Sequence, residues 1–187
     1  MDKPVNFYTD GACSGNQNDE NVGGWGAILE YGDNVKELHA GEVNTTNNKM
    51  ELDAVINAFR QLKRDGLTIH VFTDSSYVAN CFLNKWYVNW QKNGWKNKKK
   101  ESVENRDRWE ELISMVEKND VTFFRVKGHV DLDSPSVNAE KQYQTFVDNN
   151  RANMALLQPF GMDDFRKIID MNNRADELAN IAMDELR

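Results

Sequence analysis

Cysteine is scarce in this chain. Cys13 and Cys81 are the only two among 187 residues, too few for a disulfide framework or a cysteine-built zinc site. Two free thiols are the expected state. The three histidines, His39, His70 and His129, show no metal-ligand spacing. No apolar run approaches the roughly 18 residues of a membrane span. The opening Met1-Asp2-Lys3-Pro4 leads straight into a strand pattern. A cytoplasmic protein without membrane contact is therefore the default expectation. Positive charge is short as well, with 23 Lys+Arg against 30 Asp+Glu for a net −7. Averaged over the chain, that balance argues mildly against a nucleic-acid partner.

The average conceals a basic segment. From Lys85 to Lys100 there are six lysines (Lys85, Lys92, Lys96, Lys98, Lys99, Lys100) and no acid, with Trp86, Tyr87, Trp90 and Trp95 interleaved. Cations beside aromatic faces suit a phosphate backbone and its sugars. The plainer reading is that Trp86, Trp90 and Trp109 fill a local core beneath solvated lysines. Both are expected together, some indoles for packing and the lysines for binding.

Hydrophobic patterning orders the elements. Val5 to Asp10 alternates like a strand that stops at Gly11, Gly24 to Tyr31 forms a second, and Val35 to Val43 a third across the turn Gly32-Asp33-Asn34. Asn48 to Lys63 has helical spacing, with Leu52, Val55, Phe59 and Leu62 on one side. Ile69 to Asp74 is a more continuously apolar strand. Helices follow at Ser75 to about Leu83 and about Val103 to Lys118, then a fifth strand from Val121 to Val126. Asn138 to Leu157 and Met162 to Leu186 look helical, broken by Gln158-Pro159-Phe160-Gly161. This order predicts one α/β domain over residues 1–187, a five-stranded mixed sheet of an antiparallel meander plus parallel strands, flanked by helices.

Three acids stand out in that frame. Asp10 and Asp74 each close an apolar run with the dipeptide Thr-Asp, and Glu51 lies on the core side of its helix. Singly, Glu51 could complete a capping box from Asn48, Asp74 could cap the next helix, and Asp10 could be a turn residue. Together they converge, because neighbouring parallel strands and an adjacent helix bring all three to one cleft. Crowded carboxylates protonate or bind cations, and oxygen-only ligands favour Mg²⁺ or Mn²⁺. A metal-dependent enzyme is the reading.

Several long motifs in order resemble type 1 ribonuclease H. They are Thr9-Asp10-Gly11-Ala12-Cys13-Ser14-Gly15-Asn16, Gly23-Gly24-Trp25-Gly26-Ala27-Ile28-Leu29, Thr45-Thr46-Asn47-Asn48-Lys49-Met50-Glu51-Leu52 and Thr73-Asp74-Ser75-Ser76-Tyr77-Val78. Trp86 to Lys96, Val126-Lys127-Gly128-His129 and Asn173-Arg174-Ala175-Asp176-Glu177-Leu178-Ala179 continue the match. It spans residues 3 to 130 nearly without gaps, plus about 172 to 184. The resemblance implies a ribonuclease H-like fold and an endonuclease that cuts the RNA strand of RNA–DNA hybrids, leaving 3′-hydroxyl and 5′-phosphate ends. It implies Asp10, Glu51, Asp74 and Asp176 as ligands of two Mg²⁺ ions about 3.5–4 Å apart, with Mn²⁺ as a substitute. His129 matches the family's mobile histidine, which helps move protons or release product. Cys13, Asn16, Asn47 and Asn48 match minor-groove positions that sense the ribose 2′-hydroxyl. Thr46 matches a phosphate-pocket threonine on the DNA strand, and the lysine–tryptophan segment matches the family's basic protrusion.

Two departures are visible. Ser76 stands where many members carry a hybrid-contacting glutamine, so that contact is shortened or lost. Between His129 and Asp176 lie 46 residues, far more than in relatives. This predicts a helical insertion, 131–171, packed as a cap beside the active site. Asn149-Asn150-Arg151-Ala152-Asn153 echoes Asn172-Asn173-Arg174-Ala175-Asp176, but only Asp176 offers the carboxylate a fourth ligand needs. Alternatives are a weakly catalytic hybrid-binding module and another nuclease of the same fold, such as a junction resolvase or transposase-type enzyme. The four acids oppose the first, and the asparagines with the basic segment oppose the second. A monomer is expected.

Overall fold

The computed structural model describes residues 3–15 and 20–187. The alternation Val5, Phe7 against Tyr8 gives β1 (Val5–Ser14) two apolar faces, and both are buried. β1 pairs antiparallel with β2 (Val22–Tyr31), which pairs antiparallel with the edge strand β3 (Asn34–Val43). On its other side β1 runs parallel to β4 (Thr68–Thr73), and β4 parallel to β5 (Asp120–Arg125), for the order β3-β2-β1-β4-β5. This is the five-stranded mixed sheet the sequence predicts. β1 does not stop at Gly11, because its ladder to β2 continues through Ser14 opposite Val22.

One face of the sheet is covered by α1 (Asn47–Arg60), α2 (Ser76–Leu83) and α4 (Arg106–Glu117). Met50, Leu52, Val55, Val78, Leu112 and the fully buried Trp109 meet Phe7, Ile69 and Val71 there. Sequence spacing missed α3 (Trp86–Asn93) inside the basic segment. It starts from Lys85 in the left-handed region and ends at Gly94 in the same region, and none of its eight residues is fully buried, although Tyr87 and Trp90 rest against the core.

The other face carries an aromatic ladder. Tyr8, Phe72 and Phe124 lie in register across β1, β4 and β5 and stack at 5.2 and 5.1 Å. Apolar rings in line need a cover. α5 (Ala139–Asn149), a short 3₁₀ helix (Arg151–Leu157) and α6 (Met162–Glu185) supply it through Phe146, Met154, Phe165, Ile168 and Ile169. The segment 131–171 therefore packs against the back of the sheet. Its expected boundary at Met171 falls inside α6, which runs unbroken into the stretch bearing Asp176. A polar latch sits at its edge: Lys167 Nζ lies 2.5 Å from Glu30 Oε2, while Asn6 and Tyr8 donate to Glu30 Oε1.

Candidate active site

Parallel pairing of β1 with β4 ends at Thr9 opposite Thr73. The next residue on each strand is an aspartate, so Asp10 and Asp74 project side by side where the ladder opens. Glu51 joins them because α1 comes unusually close to β1. A Cβ at Gly11 would lie 2.4 Å from the Glu51 nitrogen, so only glycine permits that approach. α6 is seated in the same way on β2, where a Cβ at Gly26 would fall 2.3 Å from the Ala175 carbonyl. This contact delivers Asp176 to the rim of the cleft.

Alternative duties for these acids are filled by other residues. α1 is capped by Thr46, whose Oγ1 accepts from Lys49 N at 3.2 Å. Asn48 is therefore inside the helix, and Glu51 is too deep to close a capping box. α2 is capped by Ser75, whose Oγ accepts from Val78 N at 3.2 Å. Asp74 is left free of that role.

One carboxylate oxygen from each of Asp10, Glu51 and Asp74 lies within 4.8 Å of the other two. Asp10 and Glu51 are buried, and Asp74 Oδ1 is buried with no hydrogen-bond partner among the described residues. Burial first, then mutual repulsion, pushes the Asp10 and Glu51 carboxyls far above the ordinary carboxylate range. Asp74 is raised too, mainly by burial, with relief from its hydrogen bond to Asp10 and from His129. His129 Nδ1 lies 3.5 Å from Asp176 Oδ2 across the mouth. An oxygen-only donor set, a shared focus and an orphaned buried oxygen fit a hard divalent cation.

The cleft has a volume of about 460 Å³ and is lined by all four acids and His129, together with Asn47, Asn48 and Ser76. Tyr77 and Asn180 also line it. Sequence reasoning missed both, although Asn180 follows Asp176 by one helical turn and could have been found by that spacing. Cys13 is half-buried, with its thiol 3.8 Å from the Thr45 carbonyl, and Thr46 is exposed. Asn16 lies outside the described residues. None of residues 131–171 lines the cleft. The expected cap beside the active site is thus corrected: its apolar faces belong to the aromatic ladder behind the sheet.

All six lysines of the basic segment are exposed. Lys167 is the one lysine in an ion pair among the described residues. Trp90 lies 5.4 Å from Trp109 and 5.9 Å from Trp95, ring centre to ring centre, so these indoles pack inward. Trp86 is exposed beside Lys92, Lys96 and Lys98 around a surface cavity of about 450 Å³. Trp90 and Trp109 therefore pack as the sequence reading expects, whereas Trp86, expected with them in a local core, stands exposed because α3 turns it to the surface.

The profile of the RNase H family matches residues 2–141. A ribonuclease H of Syntrophomonas wolfei is 50% identical over 127 residues, 68% of this chain and 85% of the relative. One of Moorella thermoacetica is 47% identical over 129 residues, 69% of this chain and 82% of the relative. Among solved structures, LC9-RNase H1, described as a type 1 RNase H with the type 2 active-site motif, is similar. It has a TM-score of 0.60 at 30% identity, covering 79% of this chain and 71% of that one.

Proposed function

This chain belongs to the ribonuclease H family, and we propose that it hydrolyses the RNA strand of RNA–DNA hybrids in a reaction that depends on divalent cations. Mg²⁺ is the ion proposed, with Mn²⁺ able to replace it. The observation that carries this is the convergence of Asp10, Glu51 and Asp74 within 4.8 Å, with one buried oxygen of Asp74 left unpartnered. Asp10, Glu51, Asp74 and Asp176 would hold two ions. When bound, they would supply positive charge to the water that attacks phosphorus and to the oxygen that departs.

The chain's own side chains do the rest. His129, exposed at the mouth beside Asp176, is placed to take or return a proton as the P–O3′ bond breaks and the 3′-oxygen gains its hydrogen. The products are a 3′-hydroxyl and a 5′-phosphate. Asn47 and Asn48 on the cleft wall offer amides to the 2′-hydroxyl that marks RNA. Ser76 sits beside them with a shorter reach than a glutamine. Exposed Lys85, Lys92, Lys96, Lys98, Lys99 and Lys100 meet phosphates, and Trp86 offers a ring face to a sugar.

Incubation with labelled hybrid, duplex RNA and duplex DNA, each with Mg²⁺ or with chelator, tests this reading. Cleavage confined to the RNA of the hybrid, absent in chelator and leaving 3′-hydroxyl ends, is expected. Equal cutting of duplex DNA, or cleavage in chelator, would overturn it.

A further inference from the structure

The segment that carries His129 is tied at both ends by asparagine side chains. At its start, Asn150 Oδ1 accepts from Arg125 N at 2.8 Å, and Asn150 Nδ2 donates to Arg125 O at 2.9 Å. The same amide group donates to Phe146 O at 2.9 Å, and Asn150 is buried. One side chain thus reproduces the donor–acceptor pair of a neighbouring strand residue. At the other end, Asn173 Nδ2 donates to Val130 O at 2.8 Å, and the Val130 side chain is sunk in the core behind the sheet.

Between these ties the chain has little freedom. Val126 N donates to Thr73 O at 2.9 Å, continuing the β4–β5 pairing by one residue. Gly128 lies against the catalytic cleft, where a Cβ would fall 2.3 Å from Asp74 Oδ2. His129 itself takes a left-handed backbone, φ 57°, a conformation uncommon for a non-glycine residue. Asn173 and Asp176 are three apart on α6 and share a face. The helix that supplies the fourth acid therefore also holds the loop of the histidine facing it.

We propose that Asn150 and Asn173 are positioning residues for His129. Two amide ties, one from the extra segment and one from α6, hold the main chain around Val126–Val130, so that the mobile imidazole swings from a fixed anchor within reach of Asp176. The proposal rests on the role given to His129 above. It explains what the echoed asparagine motifs do: the second asparagine of each, Asn150 and Asn173, grips the main chain at one end of the same loop. It also gives the extra segment a link to turnover without any contact with the cleft.

The test is a double-mutant cycle on hybrid cleavage in Mg²⁺ with Asn173→Ala, His129→Ala and the pair, read as kcat and KM separately. Asn173 is half-buried and makes one side-chain bond, so its variant is the safer one to fold than a variant of Asn150. Amide hydrogen exchange across residues 127–130 and Tm are followed in parallel. Asn173→Ala is expected to lower kcat about tenfold through misplacement, with KM within about twofold. In the His129→Ala background the same change should have no further effect. Exchange of the Gly128 and His129 amides should quicken while Tm holds. Additive losses, or unchanged exchange and kcat, overturn the proposal while leaving the histidine's role intact. Wild-type turnover in His129→Ala alone is a different result: it removes that role and the purpose of the ties together.

Discussion

Two regions of this molecule concentrate uncompensated charge of one sign, and they are opposites. The cleft gathers three carboxylates within 4.8 Å, Asp10 and Glu51 buried and Asp74 partly so. The basic segment exposes six lysines with no carboxylate paired to them among the described residues. Elsewhere single charges are spread among neutral neighbours or joined in pairs, as in Arg60–Glu111, Arg108–Asp53 and Arg174–Glu37 at 2.6 to 2.8 Å. Buried like charges are costly and exposed ones are not. The cleft must therefore answer chemically, by holding protons or a cation, while the lysines can wait in solvent for an anion. The same kind of omission predicts different consequences in the two places.

The largest expected effect comes from the buried region. Asp10→Asn should reduce hybrid cleavage at least about a thousandfold, a barrier rise of some 4 kcal/mol, and Asp74→Asn should act alike. Metal-free Asp10→Asn should also melt higher than the wild type, by roughly 2–4 °C for each kcal/mol of repulsion removed. Cleavage within tenfold of wild type, or a lower Tm, would mean that the acids are not the crowded ligand set their geometry suggests.

A control lies behind the sheet, where the segment 131–171 has Lys167 paired with Glu30 and Phe146 buried. Phe146→Ala should cost about 3–5 kcal/mol of stability yet leave kcat at 25 °C within about twofold. Calorimetry beside a cleavage assay separates the two. A large loss of turnover with little loss of stability would mean that the apolar packing of this segment, and not only its Asn150 tie, supports the chemistry.

In the exposed region the expected change is smaller. Alanine at Lys96, Lys98, Lys99 and Lys100 together should raise KM about tenfold at ~0.1 M salt and flatten its dependence on salt, with kcat little changed. An unchanged salt slope would reduce these lysines to solvated surface and dissolve the comparison.

The smallest effect is in pH. Folding raises the Asp10, Glu51 and Asp74 carboxyls, so the metal-free folded state holds protons that the unfolded chain releases above about pH 4. That contribution is fully present below this pH and is lost as pH rises through the raised values. The Tm advantage of Asp10→Asn over wild type should therefore widen from pH 5 to pH 8. A constant gap would show that the carboxyls titrate normally.

Much of this was legible in the sequence, for local reasons. Thr9-Asp10 and Thr73-Asp74 are strand ends of one sheet, so two matching dipeptides implied two adjacent acids. Glu51 on an apolar helix face implied the third. What was not legible depended on long-range packing. β1 runs past Gly11 because β2 continues to pair with it. α3 is eight residues long, with only Tyr87 and Trp90 resting on the core, too short a stretch to show a period. Asn150 and Asn173 stand out in the sequence only as members of two echoed motifs, since a side chain gripping main chain 25 or 43 residues away has no local signature. The extra segment showed apolar faces but not their target, which exists only once Tyr8, Phe72 and Phe124 align.

The most direct test of the central claim is calorimetric titration of Mn²⁺ into the metal-free protein near pH 7, in two buffers of different ionisation enthalpy. Carboxyls that hold protons because no cation is present must release them when one binds. The account predicts saturable binding with net proton release in the wild type, and a clear loss of both in Asp10→Asn. Equal binding and equal proton release in the two proteins would contradict it.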